Sequence, residues 1–566
     1  MKERIGDLFI ALGQADPLVL LTFVGLVLAL SFFWATLFSS WHTAVRVGVV
    51  ITGQVLALWV AYRTSDPWLV YLILFTAPSV MVGLFIGWLS SSSVAHNKYT
   101  VKMDTTSGSI GVDIREHVSI AGATGAGKTD SIYLPIIQHV FSHGLSSVIF
   151  DYKEFELMEK VYFFEQQARE ENLKRAIAGK KTVKVPVVHA LYPNDPNYSV
   201  WINFISPDYI QQMEDAESVA NTLFDNLYPG DGAADGNFFR ETAAGAFAGT
   251  VWRFKEDFPE RCSFPYVCAM IIEASADQLI AFVSQNPKAK ILAAPFVDSQ
   301  GNRKQLASVK SSITAAIKKL CTPNLFMVFS RNEIDIRVNE PGKEIVLGLV
   351  NTPSKDAVYL PLIATISRLI IDKCSVRGRD YSIWVLDEAS ALKFKMLYRV
   401  LAIMRTFKIL VAWGLQDKVQ GELLYNVKEL KAITSNMGLQ FMGKANDPDT
   451  AEFYTRLFET VDVEERSYSS GDGRSSITKS TREKKKYKPI EFRRLSAGEF
   501  FLVDKQGKDR KVKFKETRYQ PVQAPRTHNM SKVEIETHFD MVFQTVRGMV
   551  QEIDLPETEG EGLYRE

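Results

Sequence analysis

Along the chain, long uninterrupted apolar stretches come first, and short apolar runs alternating with amphipathic segments follow. "PLVLLTFVGLVLALSFFWATLFS" (17–39) contains no charged residue. At about 1.5 Å per residue a helix of that length spans the roughly 30 Å hydrocarbon core of a bilayer. "AVRVGVVITGQVLALWVAY" (44–62) is shorter and carries Arg46 at its edge, while "PWLVYLILFTAPSVMVGLFIGWLS" (67–90) is again uncharged, with Trp68 and Trp88 placed as interfacial anchors. The first stretch is too long for the core of a signal peptide, and more apolar segments follow it. The pattern predicts transmembrane helices within an anchor over 1–92. Their number stays open, because three spans with a cytosolic C-terminus place Lys2 and Arg4 outside, against the positive-inside tendency.

From Ser90 the chain turns polar, and the apolar runs shorten to strand length. Val118–Ala121 is one such run; others lie in "LSSVIFDYKEFE" (145–156), "VKVPVVHALYP" (183–193), "KEIVLGLV" (343–350), "DYSIWVLDEAS" (380–390) and "KILVAWGLQD" (408–417). Most are separated by helical patterns, which predicts an α/β fold with a mostly parallel, doubly wound sheet. Between 207 and 325 the strand signal disappears and apolar residues recur at helical spacing. A four- or five-helix, all-α domain is therefore expected inside the α/β domain.

Composition narrows the picture less. The 66 Lys+Arg against 65 Asp+Glu exclude a globally basic nucleic-acid coat but not a local basic groove. Cys262, Cys268, Cys321 and Cys374 form no CxxC pair and read as structural thiols of a reducing compartment.

The candidate chemistry starts at "GATGAGKTD" (122–130). Gly122-Ala123-Thr124-Gly125-Ala126-Gly127-Lys128-Thr129 follows a strand and precedes a helical pattern, the strand–GxxxxGK[ST]–helix order of a P-loop. Gly122, Gly125 and Gly127 permit a tight loop whose N–H groups point inward at phosphate oxygens. A helix beginning near Lys128 adds its positive N-terminal end. Lys128 would reach the β- and γ-phosphates and the Thr129 hydroxyl would ligate Mg²⁺, so ATP and Mg²⁺ are the expected ligands.

Ser382–Leu386 is a buried-strand run ending in Asp387-Glu388. At the C-terminal end of a central parallel strand, Asp387 would hold the Mg²⁺ water shell and Glu388 would polarise the attacking water. The next strand ends in Gln416, either a γ-phosphate sensor and water-orienting group or a plain strand-end residue. The intervening helical segment carries Arg399 and Arg405. In a ring, an arginine here reaches a neighbouring subunit's nucleotide; otherwise it is a solvated helix arginine. These assignments divide the chain into an anchor (1–92), a nucleotide-binding domain in two parts (93–206 and 326–518), the helical insert (207–325) and a C-terminal helix with an acidic tail (519–566).

Together these elements resemble the type IV secretion coupling proteins, the TraD/TraG-like conjugative DNA-transfer ATPases. The likeness runs from the apolar stretches to about residue 515. It is carried, in family order, by Gly122–Thr129, "FDYKEFE", "YPNDPNYSVWINF" (192–204), "GNFFRETA", "VLDEAS", "GLQD" and "LSAGEFFLVDKQGKDRKVKF" (495–514), which looks like the family's closing hairpin. One departure is Lys153-Glu154-Phe155, which lacks the glycine that the family usually places before the glutamate of that turn. No nucleotide-sensing role is therefore carried onto Asp151 or Lys153. The resemblance implies a RecA-like P-loop NTPase fold and a homo-hexameric ring on the cytosolic side of a bacterial inner membrane, with a multi-pass anchor in membrane lipid. It also implies Arg405 as the trans-acting arginine, an all-α domain for substrate recognition, and ATP-driven delivery of relaxase-bound single-stranded DNA, or an effector protein, to type IV secretion channel components.

"RSYSSGDGRSSITKSTREKKKYK" (466–488) is Ser/Gly-rich and then basic, and predicts a mobile loop. Lys484, Lys485, Lys486 and Lys488 there either touch DNA phosphates or anionic lipid, or belong to a solvated connector. An amphipathic helix is expected near 531–552, followed by the acidic "PETEGEGLYRE". The function expected is a coupling motor for DNA transfer. An effector-protein coupling ATPase shares every motif, whereas a non-motor cargo receptor would have no use for a water-activating Glu388.

Overall fold

A computed structural model describes residues 98–228, 234–394, 397–471 and 474–554. The three apolar stretches and the acidic end lie outside these residues, and among the described residues no helix is long and apolar enough to cross a membrane. By internal contacts the chain divides into residues 1–97 with 107–111, of which 107–111 are described and begin β2, and residues 98–106 with 112–566, which carry everything else below.

The strands are β1 (Thr100–Thr105), β2 (Gly108–Asp113), β3 (Val118–Ala121), β4 (Ser146–Asp151), β5 (Val187–Leu191), β6 (Ile345–Val350), β7 (Ser382–Leu386), β8 (Ile409–Leu415), β9 (Leu439–Met442), β10 (Thr460–Gly471), β11 (Arg474–Lys485), β12 (Glu499–Asp504) and β13 (Asp509–Lys513). Nine of them form one sheet in the order β13-β12-β9-β3-β8-β7-β4-β6-β5. From β9 to β5 every pairing is parallel, and the β12–β13 hairpin is added antiparallel along β9. β3, β4, β7 and β8 are buried along their whole length, as parallel strands covered on both faces must be. That is why they read as largely apolar runs in the sequence. The edge strand β13, "DRKVK", buries only Val512 and otherwise presents charge, which discourages further strand pairing.

His117 fastens the start of β3. Its Nε2 lies 2.8 Å from the Leu401 carbonyl and its Nδ1 accepts from the Val411 amide at 3.1 Å. Burial holds its pKa below the usual histidine value, and a neutral ring with one donor and one acceptor satisfies both contacts.

Among the described residues eight helices occupy 213–328, and five of them have nine residues or more: Met213–Leu227, Ala234–Asp257, Phe264–Glu273, Ala276–Ser284 and Arg303–Lys318. The remaining three are under two turns long, too short to show a periodic face. No boundary of hydrophobic packing separates these helices from the sheet: one continuous core runs from Phe150 and Trp384 to Phe247, Met270 and Ile313.

Two segments depart from expectation. Residues 466–488 are not a loop: β10 and β11 pair antiparallel over their full 12 residues each, from Thr460 opposite Lys485 to Gly471 opposite Arg474. Between Glu464 and Lys485 the apolar side chains are Tyr468 and Ile477, so no alternation marked the strands in the sequence. Of its basic residues, Lys485 is paired with Glu452, and Lys486 donates to Asp509 Oδ1 at 2.6 Å. The second segment follows β13. From Lys515 the chain runs as an extended strap to the helix Lys532–Gln551, which docks on the helical region through Phe539 and Phe543 against Phe326 and through an Arg547–Glu273 ion pair.

Candidate nucleotide site

β3 and β4 are consecutive in sequence but separated in the sheet by β8 and β7. Such a reversal opens a crevice at the carboxyl ends of the strands, where open α/β sheets bind ligands. Gly122–Thr129 lies at that point, and its ends are tied down from three sides. The Gly122 amide donates to the Leu415 carbonyl at 3.0 Å, the Ala123 amide to the Lys444 carbonyl at 2.7 Å, and the Ala126 carbonyl accepts from the Gly498 amide at 2.9 Å. Gly127 has a positive φ of 85°, and a Cβ there would stand 2.8 Å from the Gly498 nitrogen, so both conformation and space require glycine.

The loop fits a phosphate chain. Among the described residues, no protein acceptor takes the amides of Thr124, Gly125 or Gly127, which leaves a nest of free donors over the helix start. Lys128 is buried, and its Nζ donates to the Gly122 carbonyl at 2.6 Å; burial holds its pKa below the usual lysine value. An ammonium held over a loop of amides, with only one bond made, is a cation waiting for an anion.

β7 and β8 deliver the rest. The Thr129 hydroxyl donates to Asp387 Oδ2 at 2.8 Å, an oxygen-only pair suited to Mg²⁺. Burial pushes Asp387 up to about 6, against the pull of Thr129 and Lys128. The Gln416 amide donates to both oxygens of Glu388, at 2.8 and 2.7 Å, and the Thr124 hydroxyl reaches Gln416 Oε1 at 3.4 Å. Gln416 therefore bridges the P-loop and the carboxylate. Gly414 makes this approach possible: a Cβ on it would lie 2.1 Å from the Asp387 carbonyl oxygen and 2.3 Å from the Tyr133 hydroxyl.

A cleft of 230 Å³ brings together Ala123–Thr129, Asp387, Glu388 and Gln416. The Gly122 carbonyl lies beneath it, held by Lys128. Arg405 is elsewhere: its guanidinium donates to Glu116 Oε1 at 2.9 Å, near the opposite ends of the strands. Arg399 lines a separate groove beside the helix Met213–Leu227.

The other wall of the cleft includes Asp151 and Lys153, from which the sequence withheld a role, and Asp130, Glu156 and Lys160, which no motif marked. Glu154 and Phe155, where the resembled family has a glycine, adopt left-handed φ values of 49° and 71°. Two such residues in succession cost on the order of 1–3 kcal/mol each. The buried Asp151 carboxylate holds the turn by accepting from the amides of Lys153, Leu157 and Met158 at 3.0, 2.9 and 2.8 Å. The turn brings Lys153 Nζ within 3.9 Å of Glu388. An acidic residue at the end of β4, before a glycine-less turn, was the available signal.

The type IV secretion-system coupling protein DNA-binding domain model matches residues 110–496. No curated protein sequence matches the chain. Among solved structures, TrwBdeltaN70, a bacterial conjugative coupling protein, is similar at 16% identity and TM-score 0.59, over 77% of this chain and 92% of that one. The plasmid coupling protein TrwB in complex with ADP and Mg²⁺ aligns at 16% identity and TM-score 0.55, over 73% and 87% of the two chains. TrwB with a non-hydrolysable ATP analogue aligns at 15% and 0.56, over 72% and 87%.

Proposed function

The chain belongs to the type IV secretion-system coupling proteins, and on that premise we propose that it is a membrane-anchored ATPase that delivers relaxase-bound single-stranded DNA to a type IV secretion channel. The observation that carries the reading is the convergence, at one sheet crevice, of free P-loop amides, Lys128, the Thr129–Asp387 pair and the Gln416–Glu388 pair. The nucleotide complexes of TrwB support ATP as the ligand. Thr129 and Asp387 hold Mg²⁺, which when bound neutralises charge on the phosphate oxygens. The loop amides and Lys128 bind and orient the phosphate chain. Glu388 accepts a proton from the attacking water once Gln416 releases it, and Gln416 then orients that water. The apolar stretches within 1–92 anchor the protein in the bacterial inner membrane, with the ATPase cytoplasmic. The helices within 207–325 recognise cargo. In a homo-hexameric ring Arg405 acts on a neighbour's nucleotide, because its own cleft lies at the other end of the sheet.

ATP turnover by the full-length protein, with and without single-stranded DNA, tests this. We expect DNA to stimulate turnover several-fold and Lys128→Ala to abolish it. Mixing Arg405→Ala subunits with Lys128→Ala subunits should restore part of the activity that each lacks alone. Turnover retained in Lys128→Ala sinks the site, and turnover indifferent to DNA moves the cargo to effector proteins.

A further inference from the structure

The cleft has a second end, and no part of the P-loop motif accounts for it. Asp130, Leu157 and Lys160 line it, whereas Glu156 shares Lys153 with Glu388. Asp130 Oδ1 is buried and accepts no hydrogen bond, a costly state that a hydroxyl donor would relieve. Lys160 is 8% exposed, with its Nζ 4.0 Å from that oxygen.

The strap that leaves β13 passes this end. Its Lys515 amide donates to the Asp104 carbonyl at 2.9 Å, its Thr517 amide to the Asp130 carbonyl at 3.1 Å and its Val522 amide to the Glu159 carbonyl at 3.1 Å. Between these last two anchors the Tyr519 ring stands 4.9 Å from Lys160 Nζ. Downstream the strap is locked onto Asn197. The Asn197 carbonyl accepts from the Thr527 and His528 amides, and its side chain exchanges hydrogen bonds with Met530 at 2.7 and 3.1 Å.

We infer that this strap completes the nucleotide site, with Tyr519 forming an aromatic wall for the base and Asp130 taking a ribose hydroxyl. The inference rests on the proposed nucleotide-binding role of the P-loop. Lys160 covers one face of the ring, and the opposite face is the one that would receive a base by stacking, with little discrimination between bases. The wall belongs to the segment that ends in the docked helix Lys532–Gln551. A nucleotide that tightens the strap is therefore connected to the helical region by a short length of chain.

Calorimetric titration of the full-length protein with ATP and with inorganic tripolyphosphate, both with Mg²⁺, separates the two ends. Tyr519→Ala should weaken ATP about tenfold, the stacking of one base, and leave tripolyphosphate unchanged. Tyr519→Phe should keep both affinities, and Lys128→Ala should lose both. An unchanged ATP affinity in Tyr519→Ala, or an equal loss for both ligands, overturns the wall while leaving the phosphate site intact. Failure of the wild type to bind either ligand overturns the nucleotide reading itself.

Discussion

At one end of the cleft, the proposed phosphate end, residues 122–129 bring free amides and the Lys128 ammonium together in one short run of chain. At the other end, Asp130 and Lys160 line the cleft, and Tyr519 stands against Lys160 from a strap that crosses the surface after the sheet is finished. The first surface is built mostly of backbone amides, so its geometry is dictated by where glycine is permitted. The second is built of side chains, so its geometry depends on the path of the whole chain. A motif can therefore reveal the first and not the second.

The largest effect expected belongs to the phosphate end. Glu388→Gln should bind ATP within about twofold of wild type yet turn it over on the order of 10³-fold more slowly, as loss of a positioned base implies. Rapid-quench turnover beside equilibrium binding separates the two quantities, and equal hydrolysis by both proteins removes Glu388 from its role.

Asp387 sharpens the comparison through pH. Its folded pKa, about 6, is raised from the ordinary value of 3.8, so the folded, nucleotide-free chain holds this proton more tightly than the unfolded one. Stability from this group is full below about 3.8 and is lost as pH rises through about 6. Asp387→Asn should therefore melt ~2 °C above wild type near pH 8 and level with it near pH 4. Mg²⁺-dependent nucleotide affinity should fall about tenfold in wild type between pH 7 and pH 5, since the cation needs the ionised carboxylate. The variant should show no such step; a flat wild-type profile would refute the buried-acid account.

The smallest effect belongs to the strap. Asn197→Ala removes the side-chain clamp on Met530 and should cost about 1–2 kcal/mol locally. Hydrogen exchange should quicken over 515–553 while the P-loop amides stay as protected as in wild type. Unaltered exchange in the strap would mean that Asn197 does not hold it.

Several elements were legible because burial writes a simple pattern. β4, β7 and β8 are covered on both faces, so each is an apolar run that ends where polar chemistry begins, at Asp151, Asp387 and Gln416. The β10–β11 pair was misread as a loop, because no apolar alternation marks it. Lys153 was given no role because its reach toward Glu388 depends on a turn in which two non-glycine residues hold left-handed conformations, a state secured by hydrogen bonds to Asp151. "KETRYQPVQAPRTHNM" has neither helical nor strand period, so nothing in it announced a strap.

By itself, then, the sequence determined the parallel α/β core, the P-loop and the acidic and amide groups at the strand ends. Each is a local consequence of burial on both faces of a strand or of glycine in a tight loop. Only the tertiary structure decided that Gln416 clasps Glu388, that Lys153 joins them, that Arg405 stands away from its own cleft, and that Tyr519 meets Lys160. Those relations are set by strand order and by the route of the C-terminal chain, and neither leaves a periodic trace in the residues it brings together.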